Sequence, residues 1–214
     1  MRRLVLMDLD NTLIDRRAAL AEWITDFCAD RGLMEPAARQ VSEALGERAQ
    51  PETFAVLREA LDLTETPGEL WSSYVTAMAA RVSCPPAMLA RLDGLRAEGW
   101  TVGVLTNGAT DIQRAKLAAT GILGRVDGIC ISEEAGVRKP DPEVFRVAAA
   151  RCGHDLSSET WMVGDNPVTD IAGAATAGLR SVWISGGQEW TDPRFAPDYI
   201  ATNAIAAADF LLGI

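Results

Sequence analysis

Four short clusters carry side chains whose types and spacing suit phosphate and metal chemistry. The first is Asp8-Leu9-Asp10-Asn11-Thr12, directly after the apolar run Leu4–Met7. If the chain stays extended, alternation aims Asp8 and Asp10 the same way. Two carboxylates so close repel, which raises one pKa unless a cation intervenes. The same residues also serve as turn formers at a strand end. The second cluster, Leu105-Thr106-Asn107-Gly108, offers a hydroxyl, an amide and a glycine-bared backbone, a nest suited to phosphate oxygens or simply a common Asn-Gly turn. In the third, Arg138-Lys139-Pro140-Asp141-Pro142, Lys139 is a point cation that could hold a phosphate and offset carboxylates, or sit solvated in a loop. The fourth is Gly164-Asp165-Asn166-Pro167-Val168-Thr169-Asp170. Hard oxygen ligands converging at Asp165 and Asp170 suit Mg²⁺, although Asp170 alone would complement a helix dipole.

Such chemistry needs a scaffold that gathers separate loops. Short apolar runs read as buried parallel strands at Leu4–Met7, Thr101–Leu105, Gly128–Ile131, Thr160–Val163 and Arg180–Ile184, with a weaker one at Tyr199–Ile200. Helical patterns lie between them at Ala87–Glu98, Asp111–Thr120, Glu143–Cys152 and Val168–Ala177. Asp141 can cap the third, with Pro142 in its first turn, and Gly178 can close the fourth. The alternation predicts an α/β fold with a doubly wound, Rossmann-like parallel sheet. Each cluster falls at the carboxyl end of a strand or just before the next helix, where open α/β sheets bind ligands.

One region breaks the rhythm. From about Arg16 to Ser83 there are only helical stripes: Leu20, Trp23, Ile24 and Phe27; Phe54, Leu57 and Leu61; Leu70, Trp71, Tyr74 and Met78. Thr66 and Glu69, flanking Pro67, form a capping-box start for the last of them. This predicts a small all-α domain, residues 16–83, inserted into a core made of residues 1–15 and 84–214.

Composition excludes several classes. With 48% hydrophobic residues the chain can bury a sizeable core. A net charge of −10 argues against binding a nucleic-acid backbone, which needs clustered Lys and Arg. Cys28, Cys84, Cys130 and Cys152 show no CxxC spacing and read as reduced, buried thiols. The opening apolar run stops at Asp8, too short for a leader, and no stretch reaches membrane-spanning length. A soluble, cytoplasmic protein with no membrane or nucleic-acid partner is expected, its oligomeric state (monomer or homodimer) left open.

Taken in order, the clusters resemble the four motifs of the haloacid dehalogenase (HAD) superfamily: DxDxT at Asp8–Thr12, the threonine at Thr106, the lysine at Lys139, and GDxxxxD at Gly164–Asp170. The helical insertion resembles that family's C1-type cap. The resemblance implies a Mg²⁺-dependent phosphomonoester hydrolase acting on a small phosphorylated metabolite through an aspartyl phosphate. Asp8 would be the nucleophile and a metal ligand. Asp10 would be the general acid/base, with its backbone carbonyl also on the metal. Thr106 and Lys139, helped by Asn107, would hold the phosphoryl group. Asp165 would be the remaining carboxylate on the metal, and Asp170 a supporting or alternative ligand.

Neighbouring readings within the superfamily differ at particular residues. The 2-haloacid dehalogenases lack the second aspartate, which Asp10 supplies here. Phosphonatases use a cap lysine, and residues 16–83 contain none. A sugar phosphomutase of the β-phosphoglucomutase type shares both aspartates and the cap, and only a product isomer would tell it apart. A non-catalytic HAD-fold binding protein should have lost a nucleophile, acid or ligand. Arg16, Arg17 and Arg48 could meet a second anionic group or lie exposed on helices. His154 is expected to be exposed, Trp23 and Trp71 to pack the cap, and Trp161 and Trp183 to lie in the core. The loop Gly186–Trp190 receives no role.

Overall fold

The computed structural model describes residues 3–214. The chain begins with strand β1 (Arg3–Met7) and four helices, α1 (Arg16–Asp30), α2 (Glu35–Gly46), α3 (Pro51–Ala60) and α4 (Pro67–Arg81). Then come α5 (Pro86–Ala97), β2 (Trp100–Thr106), α6 (Thr110–Ala119), β3 (Gly128–Ile131), the short α7 (Ser132–Ala135), α8 (Pro142–Arg151) and β4 (Trp161–Gly164). A π-helical turn (Pro167–Ala172) runs into α9 (Gly173–Thr176), followed by β5 (Arg180–Ile184), β6 (Tyr199–Ala201) and α10 (Ala204–Leu212). These elements form two compact units. One takes in the chain up to Ile14 with Cys84–Asn107 and Gly121–Ile214; the other takes in Asp15–Ser83 and Gly108–Thr120.

The first unit is organised by a parallel sheet in the order β3-β2-β1-β4-β5-β6. Its central strands are apolar on both faces, as expected when helices cover both sides. Leu4 and Leu6 share one face and pack with Leu105 and Met162 against Val144, Phe145 and Ala148 of α8. Val5 and Met7, equally buried, point the other way. Elsewhere in this unit α5 packs on β2 and on α10. The sequence therefore yields a doubly wound α/β sheet, and its winding reverses between β1 and β4, the crevice where such sheets hold ligands.

The second unit has an aromatic interior. Trp23 stacks on Phe27 at 4.6 Å and meets Tyr74 edge-on at 4.9 Å; Phe54 lies 5.6 Å from Trp71 and 5.2 Å from Tyr74. Helix α4 opens with the capping box read from Thr66 and Glu69: the Thr66 amide donates to Glu69 Oε2 (2.8 Å) and the Glu69 amide to Thr66 Oγ1 (3.3 Å). Helix α6 packs on α4, and Trp71 Nε1 donates to Asp111 Oδ2 at 2.6 Å. The strand–helix rhythm places α6 with the core, and in the structure it packs on α4 within this unit. Arg16 differs as well. It is buried, and its guanidinium donates to the Leu45 and Gly46 carbonyls (2.6 and 2.8 Å), closing the end of α2. It is not an exposed helix arginine.

Candidate active site

The carboxyl ends of β1 and β4 lie side by side, and the Asp8 amide extends their pairing by donating to Val163 O at 2.9 Å. Extension stops there. The amides of Thr12, Leu13 and Ile14 all converge on Leu9 O, and Asn11 takes a left-handed φ of 59°. Strand alternation therefore does not reach Asp10, contrary to the extended reading of this segment. The tight loop leaves Asp8 buried and Asp10 half-buried, with Asp10 close enough to act electrostatically on Asp8.

Lys139, expected in a loop that could be solvated, is 2% exposed. Its ammonium donates to Asp8 Oδ1 at 2.6 Å and to Asp170 Oδ1 at 2.7 Å. What aims it is Asn107: the side-chain amide donates to Lys139 O and accepts from Lys139 N, both at 3.0 Å. Asn107 thus fixes the backbone of Lys139, a role beyond the phosphate contact that its type suggested. Asp141 caps α8 immediately afterwards by accepting from the Glu143 amide, with Pro142 in the first turn. Thr106 ends β2, buried, two residues beyond Val104, which pairs with Met7.

Asp170 arrives from the other side of the site through a local device. The turn expected as plain α-helix over Val168–Ala177 starts as a π turn, because Asn166 O accepts from both Asp170 N (3.0 Å) and Ile171 N (3.4 Å). Asn166 Oδ1 caps Val168 N and Thr169 N, while the Asn166 amide donates to Asp170 Oδ2 at 3.0 Å. Gly164 makes room: a Cβ there would stand 2.2 Å from Asp170 Oδ2. Only glycine allows that approach. Together these place carboxylate oxygens of Asp8, Asp165 and Asp170 within 4.8 Å of one another.

The electrostatics ask for a cation. Burial raises the Asp8 carboxyl most, Asp170 and Asp10 push it the same way, and Lys139 opposes them; the outcome is a pKa pushed up to about 8. Burial disfavours the Lys139 charge, but Asp170 and Asp8 outweigh it and hold the ammonium above its usual range. With all three carboxylates ionised, the set would carry two net negative charges beside the Lys139 ammonium, and the raised Asp8 marks how far burial resists that state without a cation. An all-oxygen donor set with that excess fits a hard divalent ion. The Asp10 carboxylate lies outside this trio; the ligand that the family resemblance gives it is a backbone carbonyl.

Two contacts escaped the sequence reading. Trp183, expected only as core, is buried but also donates its indole N–H to Asp165 O at 2.9 Å. His154, expected exposed, is half-buried with Nε2 2.7 Å from Thr101 Oγ1. No local signal marks either pairing, since both join residues far apart in sequence.

This fold and these motifs are those of a known family. The profile of the haloacid dehalogenase-like hydrolases matches residues 5–184, and the chain belongs to that family. It is 38% identical over 160 residues to a phosphoserine phosphatase of Thermus thermophilus, a match covering 73% of this chain and 64%, less than two thirds, of that protein. It is 32% identical over 219 residues to a ribulose-1,5-bisphosphate 5-phosphatase of Halopiger xanaduensis, covering 93% and 91%. Among solved structures, a 2-haloacid dehalogenase from Pseudomonas syringae superposes with a TM-score of 0.73 at 27% identity, covering 99% of this chain and 98% of that one. No helix among the described residues is long and apolar enough to cross a membrane.

Proposed function

We propose that this protein is a magnesium-dependent phosphomonoester hydrolase acting on a small phosphorylated metabolite. The observation that carries the reading is the Lys139 ammonium bridging Asp8 and Asp170 at 2.6 and 2.7 Å, with Asp165 beside them, at the reversal of the sheet's winding. The phosphatase relatives support it. The likeness to a dehalogenase does not displace it, because Asp10 supplies the second aspartate that those enzymes lack.

Asp8 and Asp165, with the backbone carbonyl of Asp10, would hold Mg²⁺, and Asp170 would orient Lys139 or serve as a further ligand. Bound there, the ion supplies the positive charge that lets an anionic nucleophile approach a phosphate dianion. Asp8 attacks phosphorus, forming an aspartyl phosphate as the ester oxygen leaves. Asp10 gives that oxygen a proton, then takes one from the water that attacks the phosphorus of the intermediate. Lys139 and Thr106 hold the phosphoryl oxygens, and Asn107 keeps Lys139 aimed. Residues 16–83 act as the cap that selects among esters, and the protein works in the cytoplasm without nucleic acid or membrane. The test is release of p-nitrophenol from p-nitrophenyl phosphate with Mg²⁺ and after exhaustive chelation. Turnover that vanishes with EDTA and returns with Mg²⁺ supports the reading; turnover unaffected by chelation overturns the metal assignment.

A further inference from the structure

We propose that Trp183 is a positioning residue for the metal-facing turn, holding Asp165 where its carboxylate meets those of Asp8 and Asp170. The inference rests on the reading of Asp165 as a metal ligand. In the β4–β5 register Trp183 lies opposite Gly164, the last residue of β4, so its side chain stands beside the point where the chain leaves the sheet. A buried indole N–H needs an acceptor. The one it takes is Asp165 O, 2.9 Å away, the carbonyl of the residue whose carboxylate completes the trio.

The tryptophan is itself braced. Trp190 meets it edge-on, with centroids 5.0 Å apart and planes at 75°. The Trp190 N–H is shared between Asp192 O and Phe195 O, each at 2.8 Å. The segment from Trp190 to Phe195 thus backs Trp183, and Trp183 backs Asp165. On the far side of the same turn Asn166 fixes Asp170. Each carboxylate after β4 therefore has its own support. Trp161, in the neighbouring strand, packs on Phe210 and Arg180 and makes none of these contacts.

Removing a hydrogen bond that orients a ligand lowers metal affinity by about 10–100-fold. Trp183→Phe keeps an aromatic ring in the core and deletes the donor, while Trp161→Phe perturbs the same sheet away from the turn. Mg²⁺ binding would be measured by calorimetry on the wild type and both variants, with folding checked by circular dichroism. The expected result is Mg²⁺ affinity about tenfold weaker in Trp183→Phe and unchanged in Trp161→Phe. Wild-type affinity in Trp183→Phe, or an equal loss in Trp161→Phe, overturns the inference while leaving the metal reading intact. A wild type that binds no Mg²⁺ overturns the metal reading and this inference with it. If Trp183→Phe does not fold, the wild type still decides. Of its six indole N–H resonances, that of Trp183 should shift most on Mg²⁺ titration, and an unmoved Trp183 signal overturns the proposal.

Discussion

The two compact units stabilise their interiors in different ways. In the helical unit Trp23, Phe54, Trp71 and Tyr74 fill the centre, and the buried Arg16 is matched to two backbone carbonyls. Burying such rings is a large favourable term. In the sheet unit, the ends of β1 and β4 instead bury Asp8, Lys139 and Asp170 together, two carboxyl groups to one ammonium. Desolvating ions is costly even when they are paired. The first arrangement supplies stability; the second gives some up to poise a carboxylate and a cation. Substitutions in the two places should therefore separate activity from stability in opposite directions.

The sharpest contrast is Asp8→Asn. Turnover should fall by at least about 10⁴-fold, as when a nucleophile is removed, while the melting temperature in EDTA near neutral pH holds, because the metal-free Asp8 is already protonated there and Lys139 keeps Asp170 as its partner. A marked drop in melting temperature would break the contrast. In the other unit, Phe54→Ala should destabilise by about 3–5 kcal/mol through the lost ring and its cavity. Its folded fraction should still cleave p-nitrophenyl phosphate at near wild-type rate, and urea unfolding with parallel kinetics checks both. Arg16→Met should cost about 1–3 kcal/mol, because the Leu45 and Gly46 carbonyls lose their donors. A melt indistinguishable from wild type would mean water replaces the guanidinium.

A further contrast lies in pH dependence. Asp8 ordinarily ionises near 3.8 and in the folded, metal-free protein near 8. Between those values the folded state keeps a proton that the unfolded chain has released. Metal-free stability should thus fall as pH rises through that window, because fewer protons are bound on unfolding. Mg²⁺ must displace the same proton, so its affinity should tighten by up to about tenfold per pH unit and level off above about pH 8. Calorimetry between pH 6 and pH 9 measures this, and a flat profile would show that Asp8 is already ionised.

How much of this was readable from residue types alone varies by region. The strands were legible because their runs are apolar on both faces, and the gathering of Asp8, Lys139 and Asp165 because each follows or precedes a marked element boundary. Asp10 was harder to place, since nothing in DxDxT reveals that Leu9 O would gather three amides and end the extension. Asn107 looks like a phosphate donor in sequence, and only the loop that returns 32 residues later shows it clamping Lys139. Similarly, α6 follows a strand as a sheet helix would, and the Trp71–Asp111 bond that joins it to α4 spans 40 residues. Long-range pairings are what local patterns do not encode.

In the proposed reaction Asp8 itself carries the phosphoryl group. Acid-quenching the enzyme during turnover of p-nitrophenyl phosphate with Mg²⁺, reducing with borohydride and mapping the peptides tests it directly. Borohydride reduces an aspartyl phosphate to homoserine and leaves a free carboxylate alone. Homoserine is expected at position 8, appearing only with substrate and absent in Asp8→Asn. Rapid turnover that leaves Asp8 unreduced, or homoserine at another aspartate, would contradict it.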